Sequence, residues 1–116
     1  KSWEKSMSEI SNEALLNKVF SMAGLATRAG KTVAGEFSVE KAVKMKKAKL
    51  VIVSEDASAN TKKLFMNKCK FYNIPVFICG SREQLGKSTG NKERASIAVL
   101  DESFSKSIIK MLTQSN

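Results

Sequence analysis

The sequence predicts a single α/β domain with helices on both faces of its sheet, and three observations carry that prediction. Two short runs of continuous apolar residues, Leu50 to Val53 and Val76 to Cys79, read as strands covered on both faces. Segments with apolar residues at helical spacing alternate with those runs along the chain. A chain of 116 residues, 42% of them hydrophobic, closes one core and hardly two.

Each element follows from its own residues. Residues 1–11 are mostly polar and read as a flexible leader, or one foreign to the domain, with Met7 a candidate native start; the domain is expected over 12–116. From Asn12 to Thr27, apolar residues at 15, 16, 19, 20, 22, 23 and 26 predict a helix, and Gly30 follows where it would stop. Lys31 to Ala34 is a short strand ended by Gly35. Val39, Ala42, Val43 and Lys46 or Lys47 then mark a short helix whose other face carries Glu40, Lys41 and Lys44. After the Leu50 strand, Asn60 to Tyr72 sets Leu64, Phe65, Cys69 and Tyr72 on one helical face and lysines on the other. Asn73 and Pro75 punctuate before the Val76 strand. Ser81 with Gln84 fits a capping box opening a short helix limited by Gly86 and Gly90. Ser96 to Leu100 is the last strand, and Phe104, Ile108, Met111 and Leu112 give the closing helix its stripe.

The chemistry excludes more than it includes. With no His the commonest general base is missing, and no Asp/Glu cluster has the spacing of a paired-carboxylate or metal site. No enzyme, cofactor or metal is therefore expected. Cys69 and Cys79 lack a CxxC partner and read as buried small hydrophobes. Gly30-Lys31-Thr32 tempts toward a phosphate loop, but a P-loop needs glycine where Leu25 stands, and this turn follows a helix. The Glu55-Asp56 pair lies between a strand and a helix, so capping by Asp56 or Ser58 is the simpler account. No apolar stretch approaches the roughly 18 residues of a membrane span, so a cytoplasmic protein is expected.

The net charge of +9 is unevenly spread. Ten lysines face four acids between Lys31 and Lys70, and four bases face two acids between Arg82 and Arg94. Basic excess beside glycine turns fits a polyanion partner, or a solvated lysine-rich surface. Gly35 before Glu36, Phe37 and Ser38 either lets backbone approach a ligand at a helix start or makes a plain turn.

The blocks AKLVIVSEDAS at 48–58, IPV at 74–76 and LGKSTG at 85–90, together with Gly35 and Lys41, resemble the L-seven-Ae ribosomal protein family, especially its small bacterial YlxQ-type members. The similarity runs from about Gly24 to Leu112. It implies a three-layer α/β/α sandwich with a four-stranded mixed sheet, and binding of kink-turn RNA. Carried onto this chain, the resemblance places RNA on Gly35, on Lys41 one turn further, on Arg82, and on the loop from Asn91 to Ser96.

This sequence departs from the family at one point. Members that read tandem sheared G·A pairs carry Asn-Glu two and three positions after the glycine, and here Phe37 and Ser38 stand there. Phe cannot hydrogen-bond a base edge, and Ser makes only part of the Glu contact. Phe37 would stack on a splayed base or act as the staple of its helix, the latter being the simpler reading. The expected function is non-enzymatic binding of structured RNA by a monomer in a ribosome-associated or other ribonucleoprotein setting. Lys31, Lys41, Lys44, Arg82, Lys87, Lys92 and Arg94 would neutralise phosphates, while Gly35, Glu36, Phe37, Ser38 and the loop of Asn91, Ala95 and Ser96 would read shape and bases. The competing reading is a protein-interaction module of the translation machinery whose basic face binds an acidic partner.

Overall fold

The computed structural model describes residues 13–114, so the leader expected over 1–11 lies outside the described residues. The elements run α1 (Glu13–Arg28), β1 (Thr32–Ala34), α2 (Glu36–Lys44), β2 (Leu50–Val53), α3 (Ala59–Tyr72), β3 (Val76–Ile78), α4 (Arg82–Ser88), β4 (Ser96–Val99) and α5 (Glu102–Thr113). The sheet order is β1-β4-β2-β3, with β4 antiparallel to both neighbours and β2 parallel to β3. This is the mixed four-stranded sheet that the resemblance implies.

Alternation inside the apolar runs supplies two cores. Leu50, Ile52, Ile97 and Val99 face α1, α4 and α5, packing with Val19, Phe20, Ala23, Leu85, Ile108 and Leu112. Val51, Val53 and Ala98 face α2 and α3, packing with Val39, Val43, Phe65 and Cys69. Helices thus cover both faces, and the three layers follow. The two cysteines divide between the layers, Cys79 in the first core and Cys69 in the second, both as free thiols. Burial pushes Cys69 up to about 11. Burial, with the Glu55 carboxylate adding to it, pushes Cys79 up to about 12.

Two expectations need correction. β3 is not covered like β2: it is an edge strand, and Ile78 keeps 37% of its surface exposed. Gly86 does not limit α4 but lies buried inside it, for a reason given below. Elsewhere the local chemistry performs as expected. Gly30, at φ 72°, ends α1 with Lys31 N–H donating to Ala26 carbonyl at 2.8 Å and Gly30 N–H to Thr27 carbonyl at 2.9 Å. That paired closure makes Gly30-Lys31-Thr32 a helix stop. Among the described residues no helix is long and apolar enough to cross a membrane, and no group of His, Cys, Asp or Glu could hold a metal.

Candidate nucleic-acid interface

Strand polarity gathers four chain segments at one pole of the sheet. Gly35 N–H, at the end of β1, donates to Ser96 carbonyl at 2.9 Å, where β4 begins. Ser54 N–H, at the end of β2, donates to Ala95 carbonyl at 2.9 Å, and Glu55 N–H to Gly80 carbonyl at 2.8 Å. The starts of α2 and α4 and the 89–95 loop therefore share a surface.

At that pole α2 begins without a side-chain cap. Its N-cap is Gly35, at φ 95° and ψ 153°, a backbone region that is essentially glycine's alone. A Cβ there would meet only the Arg94 side chain, at 3.8 Å, so conformation rather than crowding demands glycine. By contrast Ser58 caps α3, Ser81 caps α4 and Asp101 caps α5, each accepting from a backbone N–H of its helix. The first N–H groups of α2, at Glu36, Phe37 and Ser38, thus point outward without a side-chain acceptor, at the positive end of a helix dipole.

Phe37 is 79% exposed. The staple reading is therefore overturned: a staple must bury its ring against the helix, and this ring lies in solvent. Lys41, four residues on, and Lys44, three further, share its helical face. Lys44 Nζ lies 3.5 Å from the Glu40 carboxylate, which Lys68 Nζ also approaches at 3.6 Å, so two cations share one anion. Ser38 is half-buried and Glu36 exposed.

The facing wall comes from α4 and its following loop. A Cβ on Gly86 would lie 2.5 Å from Lys92 carbonyl oxygen and 2.7 Å from Glu93 Cα. Only glycine lets the loop rest on the helix, which is why it sits mid-helix despite its poor propensity. Asn91 Nδ2 donates to Thr89 carbonyl at 3.1 Å while its Oδ1 accepts from Arg94 Nη2 at 3.2 Å. Arg94 Nη1 also donates to Glu93 carbonyl at 2.7 Å. Arg94 is thereby aimed across Gly35, and Asn91 is a holder of the loop rather than a free contact. Arg82 N–H donates to Asp56 Oδ1 at 3.0 Å, and its guanidinium stands 3.8 Å from the same oxygen. Slight desolvation raises the Asp56 carboxyl, but the neighbouring Ser54 side chain, then the Arg82 N–H and guanidinium, together outweigh it and hold it below its ordinary value.

Not every predicted residue joins this surface. Ser96 is fully buried as the first residue of β4, and Ala95 is half-buried with its carbonyl taken by Ser54, so the exposed part of the loop ends at Arg94. Lys31 precedes β1 at the opposite end from Gly35, about 13 Å away along an extended chain. Lys87 turns toward α1, lining a groove with Asn17, Phe20, Ser21, Gln84 and Ser88. Lys41, Arg82, Lys92 and Arg94 remain around the open helix start, whereas Lys44 ends α2, about 13 Å along the helix from Gly35. Sequence reasoning missed the Asp56–Arg82 and Asn91–Arg94 pairings; the first spans 26 residues and has no local signal.

The profile of the ribosomal protein L7Ae/L30e/S12e/Gadd45 family matches residues 17–109 of this chain. The chain belongs to this family. It is 43% identical, over 80% of its length and 93% of the relative's, to a Bacillus subtilis (strain 168) protein named RNA-binding protein YlxQ. A protein of the same name from Enterococcus faecium is 37% identical, over 82% of this chain and 91% of its own length. These matches make the chain a YlxQ-type member of the L7Ae family. A solved structure from Bacillus halodurans C, of a protein of unknown function, superposes with a TM-score of 0.79 at 42% identity, covering 83% of this chain and 97% of its own. The Giardia lamblia 15.5kD RNA binding protein shares the L7Ae-type fold, at a TM-score of 0.77 and 18% identity, with 90% of this chain and 89% of its own covered.

Proposed function

We propose that this protein binds structured RNA containing a sharply kinked internal loop, at the pole formed by the start of α2 and the 89–94 loop. The observation that carries the reading is the uncapped, glycine-led start of α2 lying under an arginine that the opposing loop holds in place. The names of the YlxQ relatives support RNA as the partner class. In this reading the N–H groups of residues 36–38 donate to base edges or phosphate, and Phe37 stacks on a splayed base. Lys41, Arg82, Lys92 and Arg94 neutralise phosphates at this pole, and Lys44 meets the backbone further along the same face of α2, fixing register without reading sequence. Ser38 supplies one hydroxyl where a carboxylate would accept from a guanine, so backbone and shape carry the recognition. The protein acts without catalysis, as a cytoplasmic monomer within a ribonucleoprotein.

A gel-shift series comparing a kink-turn RNA, the same RNA with its G·A pairs disrupted, and a plain duplex tests this. The kinked RNA should bind best, with log affinity falling against log salt by roughly 0.7 to 0.9 per phosphate contact and about four or five contacts in all. Equal binding of the plain duplex, or a slope near zero, would overturn the reading.

A further inference from the structure

At the pole opposite the open helix start, a groove of about 500 Å³ lies between the ends of α2 and α3 and the first turns of α5. Its floor is apolar, with Ile74, Pro75 and Ile109, and Lys46, Lys49 and Lys106 stand around it. Only Lys106 has an ion-pair partner among the described residues, the groove's Glu102 at 3.6 Å, so the charge there is in cationic excess. Tyr72 forms one wall, and Phe71 packs edge-on against it with ring centroids 4.9 Å apart while remaining 80% exposed. Ser105 also lines the groove; its hydroxyl is buried and finds no hydrogen-bond partner in the protein.

We propose that this groove is a second nucleic-acid site, which takes a single strand of RNA through its phosphates and stacked bases. Lysines beside an exposed aromatic ring, here Phe71, are the combination that binds single strands, since every base has a face to stack and every linkage a charge to neutralise. Lys46 adds an independent sign. It sits at φ 58°, the left-handed position that ends α2, where glycine or asparagine is favoured and where α3 does carry an asparagine, Asn73. A lysine held there against its backbone preference points to a use for its charge. Dipole complementarity at the end of α2 does not account for the cluster, because Lys49 precedes β2 and Lys106 lies near the start of α5. The proposal stands apart from the kinked-RNA reading, since no residue is shared between the two poles.

The test is fluorescence anisotropy of a short labelled oligouridine with the whole chain, beside the kinked RNA as a second probe. Phe71→Ala should weaken oligouridine binding by about fivefold or more. Lys46→Gly and Lys49→Gln should each lower the salt slope by roughly 0.7. All three should keep wild-type affinity for kinked RNA. Lys46→Gly relaxes the backbone, so its melting temperature should hold or rise while oligouridine binding falls, an outcome that loss of folding cannot produce. Gly35→Val should do the reverse, losing kinked RNA and keeping oligouridine. The proposal is overturned if wild type ignores oligouridine, if the groove variants bind it as wild type does, or if Gly35→Val abolishes both. Equal displacement by polyglutamate would reduce the groove to a patch of charge, and saturation by uridine monophosphate would make it a nucleotide pocket; either result removes the strand.

Discussion

Two helices start at the same pole, and their beginnings differ in kind. α4 opens with a capping box, Ser81 Oγ accepting from Gln84 N–H at 3.1 Å and Gln84 Oε1 accepting from Ser81 N–H at 2.9 Å, while Asp56 takes the next N–H, at Arg82. α2 opens on Gly35 with no side-chain acceptor. A protein seeking only stability would close both ends. The comparison teaches that the donors left without a cap mark where a ligand is expected, and that the closed neighbour serves as its rigid frame.

The largest effect should come from giving α2 a side chain at its entry. Gly35→Val forces a β-branched residue into a glycine backbone region, at a cost of about 1–3 kcal/mol in stability, and should reduce kinked-RNA affinity at least a hundredfold by closing off the backbone donors. Gel shifts on the folded variant check it, and retained affinity would move the site elsewhere. Next in size, Phe37→Asn with Ser38→Glu should raise preference for intact over G·A-disrupted kink-turn RNA by roughly tenfold, taking the DNA value of about 1–3 kcal/mol per bidentate base contact as a guide. Because Glu adds negative charge, the gain must appear as specificity and not as tighter binding overall. If wild type already discriminates as strongly, backbone groups are the readers.

Smaller changes separate the two helix starts. Lys41→Ala should lower the salt slope for kinked RNA by about one contact, whereas Lys31→Ala, at the far end of β1, should leave it unchanged. Ser81→Ala should cost about 1 kcal/mol in chemical denaturation while shifting RNA affinity less than twofold, since the frame loses a bond but the open donors are untouched. Last, neither thiol should react with a labelling reagent at pH 8 in the native state, because both are buried and titrate far above that pH. Cys69 and Cys79 sit in opposite layers, so simultaneous labelling on unfolding would show that the two layers open together, and early reaction of Cys69 alone would show α2 and α3 loosening first.

What could be read from the sequence was what depends on neighbours along the chain. The helical stripes, the Ser81–Gln84 box, the Gly30 stop and the Leu50–Val53 strand all rest on spacings of a few residues, and all stand in the structure. Val76 to Cys79 looked like a second central strand because an apolar run does not say whether one or two strands will pair with it. Lys31 looked like part of the site because charge density ignores direction, and an extended strand carries a residue far in few steps. Phe37 misled for a related reason: a staple and an exposed stacking ring are the same residue until the rest of the fold is placed. Helices on both faces of the sheet followed from the alternation of elements, whereas the four strands and their mixed direction came from the family resemblance.

Gly86 read as a stop because glycine usually punctuates, yet its partner, the Lys92 carbonyl, belongs to the loop it supports. That contact fixes the loop's height above α4 with no spacer between them, so the two behave as one mechanical part. Anyone retuning this protein for another RNA therefore has freedom in the exposed side chains of Lys92 and Glu93 and none in the seat beneath them: a single methyl group at position 86 would lift Arg94 off Gly35 before any base had been read.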